Sequence, residues 1–206
     1  MVVLLVVAAL AFLLVAPLLL HQLYRSSGPS VLTYLGSGGH TTEMMHLIEI
    51  LTEEGCLSGY SVRHFSSDHR SHSLAKASGC ACKMLYRARR VKQSYVTSVF
   101  TTIASFWHAL ALLLGCRVPE ILLVNGPGTC LVLVVALRLV NLLTLTRTRV
   151  LFVESVCRVK GWSATGKLLE WMSVPLSFRG GLYRVKQWPD FRGGLLCNGL
   201  MFKQVI

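Results

Sequence analysis

Acidic side chains are scarce in this chain. Its 206 residues hold 9 Asp and Glu against 21 Lys and Arg, a formal net charge of +12. That balance points to an anionic partner: nucleic acid, a membrane surface or a phosphorylated ligand. No DNA- or RNA-binding motif is present, so nucleic acid drops out of the list. Charge of either sign is missing altogether from residues 2–20, VVLLVVAALAFLLVAPLLL. At about 1.5 Å per residue, a helix of that length roughly matches the thickness of a bilayer core. Pro17 is tolerated in a membrane helix. The rival reading is a cleaved signal peptide. Against it, no Lys or Arg precedes the apolar run, the run exceeds a usual signal core, and no small-x-small cleavage site follows. Residues 1–24 are therefore read as a transmembrane anchor, and residues 25–30 as a linker. Arg25 and a Lys/Arg-rich remainder lie behind the anchor, which places the domain in the cytosol by the positive-inside rule.

A disulfide frame is also missing. The 7 cysteines, Cys56, Cys80, Cys82, Cys116, Cys130, Cys157 and Cys197, are odd in number and scattered. That pattern fits reduced cytosolic thiols. Cys80-Ala81-Cys82 lacks the second pair or the histidines of a zinc site, so no metal is expected.

What the chain does contain is alternation. VLTYL (31–35) is a β-prone run that ends at Gly36-Ser37-Gly38-Gly39. In the following TTEMMHLIEILTEE (41–54), Met44, Leu47, Ile48 and Leu51 share one helical face, and Gly55 is a stop. Further strands are expected at 60–65, 83–86, 121–125 and 149–153, with helices at 96–114, 129–143 and 163–172 and a short one within 66–82. Strands alternating with helices predict an α/β fold with a parallel, Rossmann-like sheet. The apolar stretches 96–114 and 129–143 can also be read as further membrane spans. His108 in the first and Arg138 in the second favour buried or membrane-surface helices, and 96–114 is open to a position in the lipid interface.

Two strand-to-helix turns carry the chemistry. Glycines at 36, 38 and 39 let a ligand approach the backbone, Ser37 adds a hydroxyl, and the helix start beyond offers unpaired N–H groups to a diphosphate. The loop is not a P-loop, because no Lys-Ser/Thr follows, nor is it a full dinucleotide G-x-G-x-x-G. A plain tight turn is the competing reading. His40 at the helix start suits donation to a phosphate or proton abstraction from a hydroxyl, or it is a histidine bonded only locally. Asn125-Gly126-Pro127-Gly128-Thr129 is the second turn, at the carboxyl end of a strand that would face the same crevice. Glu154 ends the next strand, where it can act as a base, bind a sugar, or pair with Arg158. Arg87, Arg89, Arg90 and Lys92 form a basic cluster, solvated or facing anionic lipid.

The order of anchor, GSGGHTTE (36–43), RARRVKQSYVTSVFTT (87–102), NGPGTC (125–130) and VESVCRV (153–159) resembles one family. It is that of the membrane-anchored subunit of the two-part UDP-N-acetylglucosamine transferase of dolichol-linked oligosaccharide synthesis. The resemblance runs from the anchor to about residue 172. It implies the N-terminal, acceptor-side half of a GT-B glycosyltransferase over residues 31–173. The soluble catalytic, donor-binding half would be a separate protein recruited to the cytosolic face of the endoplasmic reticulum. Together they would add the second GlcNAc to GlcNAc-diphospho-dolichol with inversion. UDP-GlcNAc is then the donor substrate, and no cofactor or metal is implied. On the matching positions, His40 or Glu154 is the implied catalytic base. Gly36, Ser37, Gly38, Gly39, Thr41, Asn125, Gly126, Gly128, Arg87 and Arg90 are the implied substrate-binding set. A second reading keeps the fold and the anchor but makes the chain a non-catalytic scaffold that only recruits a partner. Residues 174–206 depart from the family's tail, which docks the catalytic partner, because VPLSFRGGLYRVK intervenes before Gln187-Trp188-Pro189.

Overall fold

The computed structural model describes residues 28–90, 93–126, 128–153, 163–173 and 202–205. The anchor 1–24, residues 25–27 of the linker, Glu154, and the tail 174–206 apart from 202–205 lie outside the described residues.

Five strands run parallel in the order β3-β2-β1-β4-β5: β1 is Ser30–Leu35, β2 Ser61–Ser66, β3 Cys82–Met84, β4 Ile121–Asn125 and β5 Arg149–Val153. A sixth strand, β6 (Phe202–Val205), pairs antiparallel with β5. The expected parallel α/β sheet is therefore present, with one antiparallel edge strand that the sequence did not announce. Every residue of β1 and of β4 is buried. That is the pattern of central parallel strands covered on both faces, and it explains why VLTYL and ILLVN are mostly apolar without alternating with charged residues.

Helices cover both faces. Alternation along the strands sends Val31, Leu35, Ile121, Leu123, Leu151 and Val153 to one side, against Met44, Leu47 and Leu51 of α1 (Gly39–Glu53) and Ala75 of α2 (His69–Ala77). Leu32, Tyr34, Phe65, Leu122, Val124 and Phe152 point to the other side. There they meet Ala109 and Leu113 of α3 (Tyr95–Leu114), Leu133 and Leu137 of α4 (Thr129–Thr144), and Leu169 of α5 (Ala164–Ser173). The result is a doubly wound, three-layer sandwich, and α3 is the connection that carries the chain from β3 back across to β4.

The two apolar stretches part ways here. In α4, Val132, Leu133, Val134, Ala136, Leu137 and Val140 are all buried, so it is a core helix. Among the described residues, α3 is the helix long and apolar enough to cross a membrane, yet its C-terminal half is packed into the sandwich. Its other face is open: Val96, Val99, Phe100, Ile103 and Trp107 are 51% to 74% exposed. Those positions fall at i, i+3, i+4, i+7 and i+11, one continuous stripe.

Candidate functional site

β1 and β4 are neighbours and parallel, so the turns that follow them emerge side by side at the carboxyl edge of the sheet. In a strand order 3-2-1-4-5 this is where the winding reverses and a crevice opens.

The first turn brings its backbone close to the His40 side chain. A Cβ on Gly36 would lie 3.1 Å from the His40 Cβ. Gly126, in the second turn, has φ of 100°, and a Cβ there would lie 3.4 Å from His40 Cδ2. The imidazole is thus bracketed by the two glycines that leave β1 and β4. Its side chain stays 33% exposed. Its Nδ1 is sealed from solvent, has no hydrogen-bond partner among the described residues, and lies 3.6 Å from Glu43 Oε2. The same Glu43 oxygen accepts a hydrogen bond from Asn125 Nδ2 at 3.0 Å. Asn125 is fully buried, and its Oδ1 has no partner among the described residues.

The helix starts differ in a telling way. Asp68 caps α2 by accepting from the Ser71 N–H, and Ser94 caps α3 by accepting from the Thr97 N–H. The two helices that begin at the crevice have no such side chain: α1 starts from Gly38 and α4 from Gly128. Both glycines are exposed. Open N–H groups and the positive ends of two helix dipoles therefore face the region where the turns converge, which suits a negatively charged ligand.

The loop's shape is held from below. Thr41 and Ser71 both donate to the Gly36 carbonyl, at 2.8 Å and 2.9 Å, and their hydroxyls lie 2.7 Å apart. Ser71 in turn reaches Asp68 Oδ2 at 3.1 Å. Thr41 is buried in this knot, so its hydroxyl faces the protein and not the crevice. Ser37 is half-buried and accepts from Arg87 Nη2 at 3.4 Å, which brings one cation of the basic cluster to the glycine loop. Arg90 is exposed; its backbone N–H donates to Gln93 Oε1. Ala88 anchors the basic segment: its N–H donates to Thr129 Oγ1 at the start of α4. Tyr34 lies under this seam, its hydroxyl 2.7 Å from Ser67 Oγ, and burial pushes its phenol up to about 12, so it stays protonated.

Gly36, Ser37, Gly38, Gly39, His40, Thr41, Asn125, Gly126, Gly128 and Arg87 thus surround or support one crevice, while Arg90 stands apart on the surface. Glu154 lies outside the described residues. Glu43 and Ser71 were not singled out from the sequence, and Thr129 was read only as the end of the second turn. Glu43 stands three residues after His40, a helical neighbour, which was a usable signal. Ser71 reaches the site only through folding, 35 residues along the chain from Gly36. Among the described residues no group of three or more His, Cys, Asp or Glu side chains is arranged to hold a metal ion.

A family model described as "Oligosaccharide biosynthesis protein Alg14 like" matches residues 31–176. The chain is 34% identical over 190 residues to the "UDP-N-acetylglucosamine transferase subunit ALG14" of Mus musculus, covering 84% of this chain and 81% of that protein. The Saccharomyces cerevisiae protein of the same name is 35% identical over 186 residues, covering 84% of this chain and 75% of its own length. The Candida albicans one is 41% identical over 153 residues, covering 70% and 66%. Among solved structures, MurG of Acinetobacter baumannii aligns with a TM-score of 0.49 at 16% identity, covering 69% of this chain and 38% of that one.

Proposed function

The chain belongs to the Alg14-like family of oligosaccharide biosynthesis proteins, and from that premise we propose that it is the membrane-anchoring, acceptor-side subunit of a UDP-N-acetylglucosamine transferase. It recruits a soluble donor-binding subunit to the cytosolic face of the endoplasmic reticulum. The pair then adds the second GlcNAc to GlcNAc-diphospho-dolichol.

The observation that carries this reading is the convergence of the turns after β1 and β4 around His40, with two uncapped helix starts beside it. The main-chain N–H groups at Gly38–His40, with Ser37 and Arg87, hold a diphosphate. His40 or Glu154 removes the proton of the attacking sugar hydroxyl. Arg90 and its basic neighbours draw the lipid diphosphate toward the crevice. The apolar stripe of α3 rests on the bilayer, where a fully buried Phe, Ile or Val side chain contributes about 1.5–3 kcal/mol, and so turns the crevice toward a substrate embedded in that bilayer.

The test is transfer from UDP-GlcNAc to GlcNAc-diphospho-dolichol by the full chain co-expressed with the soluble subunit. His40→Ala is expected to lower turnover by roughly 10²–10⁴-fold, the range of a lost general base, with partner capture unchanged. If His40→Ala and Glu154→Ala both leave the rate intact while the partner still binds, the chain is the non-catalytic scaffold.

A further inference from the structure

We propose that Glu43 is a positioning residue for sugar transfer: its carboxylate holds the His40 ring with the proton on Nδ1, so that Nε2 faces the acceptor hydroxyl as the base. The inference rests on the reading above in its His40 form.

Four observations converge on it. Nδ1 of His40 is buried and has no hydrogen-bond partner among the described residues. The carboxylate oxygen nearest to it is Glu43 Oε2, at 3.6 Å and one helical turn away. That oxygen is itself fixed from another element, since Asn125 Nδ2 donates to it at 3.0 Å from the end of β4. Finally, the His40 side chain lies beside Gly36 and Gly126, close enough that a Cβ added at either would meet it. The groups facing His40 are thus Glu43 from α1, Asn125 with the Gly126 backbone from the second turn, and the Gly36 backbone from the first. The Arg87 guanidinium lies farther out, on Ser37. A movement of about half an ångström brings Nδ1–H to hydrogen-bond length from the carboxylate; apo catalytic contacts commonly tighten by such amounts when substrate binds.

The chemistry balances with the substrates of the proposed reaction. The acceptor O–H bond breaks and its proton passes to Nε2. The oxygen forms a bond to the anomeric carbon of the donor, and the bond from that carbon to the diphosphate breaks, its electron pair leaving with UDP. His40 becomes an imidazolium during the step. Glu43 remains ionised throughout and stabilises that charge through the Nδ1–H hydrogen bond, a positioning carboxylate's role. Asn125 keeps the carboxylate from swinging away.

The experiment uses the full chain with its soluble partner in nanodiscs and a lipid-diphosphate GlcNAc acceptor. Glu43→Gln is expected to lower kcat at least about tenfold with KM for the acceptor within about twofold, the signature of a lost transition-state interaction. Glu43→Asp is expected to recover part of the loss. In a His40→Ala background, Glu43→Gln should add less than about twofold, because residues acting as one unit are not additive. A second measurement does not depend on turnover: ¹⁵N NMR of the imidazole, with the His40 signals identified by their loss in His40→Ala. The native complex should show the Nδ1–H form, and Glu43→Gln should shift the ring toward the other tautomer. An unchanged tautomer, or an Glu43→Gln loss that multiplies in full with that of His40→Ala, overturns the proposal. If His40→Ala leaves the rate intact, the base assignment fails together with it. If His40→Ala abolishes transfer while Glu43→Gln is silent, only the positioning role fails.

Discussion

His64 sits in the middle of β2, fully buried, with its Nδ1 hydrogen-bonded to Thr33 Oγ1 on β1 and its Nε2 without a partner among the described residues. Burial pushes its imidazole below the ordinary histidine range, so the ring folds neutral. The unfolded chain takes up that proton near pH 6.5 and the folded chain only at lower pH. Stability from this group is therefore complete above about pH 6.5 and is lost as pH falls, by up to about 1.4 kcal/mol per pH unit until the folded state also protonates. Denaturation of the native chain at pH 7.5 and 5.5 should show a larger drop than that of His64→Asn, which retains a hydrogen-bonding side chain for Thr33. Equal drops would contradict the assignment. The residues around His40 divide by how visible they were. Gly36, Gly38 and Gly39 stand out because a glycine cluster between a strand and a helix marks a turn, whether or not it holds a ligand. The Asn125–Glu43 contact joins positions 82 residues apart and exists only once β1 and β4 are paired.

At the level of elements, the alternation of strands and helices was legible because each carries its own period. Boundaries moved by a few residues for local reasons. α1 begins at Gly39, ahead of the expected residue 41, because Gly38 at φ of 63° turns the chain into the helix early. β3 covers Cys82–Met84 and stops short of residue 86, since it is the sheet's edge and pairs with β2 alone. What the sequence withheld was the orientation of α3. Thr101, Thr102, Ser105 and His108 hydrogen-bond to the backbone of Tyr86 and Ala88, so polar residues of α3 point inward, and periodicity could not show that Phe100 and Trp107 face outward while Ala109, Leu110 and Leu113 face the core. Replacing Phe100 and Trp107 together by Glu should leave the melting temperature nearly unchanged, as neither fills the core. Transfer to a long-chain acceptor in vesicles should fall by roughly tenfold, because charge is costly in the lipid interface. A short-chain acceptor in detergent should lose little. Equal losses on both acceptors would remove the membrane role of the stripe.

For the whole molecule, charge and topology act together. A strand order 3-2-1-4-5 opens its crevice at the β1–β4 boundary, and sequence alone did not establish which strands would be neighbours. Nor did it reveal that residues 202–205, in the atypical tail, pair with β5. The net charge of +12, by contrast, was visible at once. In the proposed setting it predicts that vesicles containing anionic lipid support faster acceptor turnover by the assembled enzyme than neutral vesicles. That advantage should shrink between about 0.05 M and 0.5 M salt as the Debye length shortens from roughly 14 Å to 4 Å. A salt-independent rate ratio would mean that the charge serves something else.

The knot under the glycine loop has a consequence for inheritance. The Gly36 carbonyl is held by Thr41, five residues on, and equally by Ser71, 35 residues on and in a different helix. A Ser71→Ala change alters no charge. It nevertheless releases the loop as directly as a change at Thr41 does. In a genetic screen the two alleles should fall into one phenotypic class.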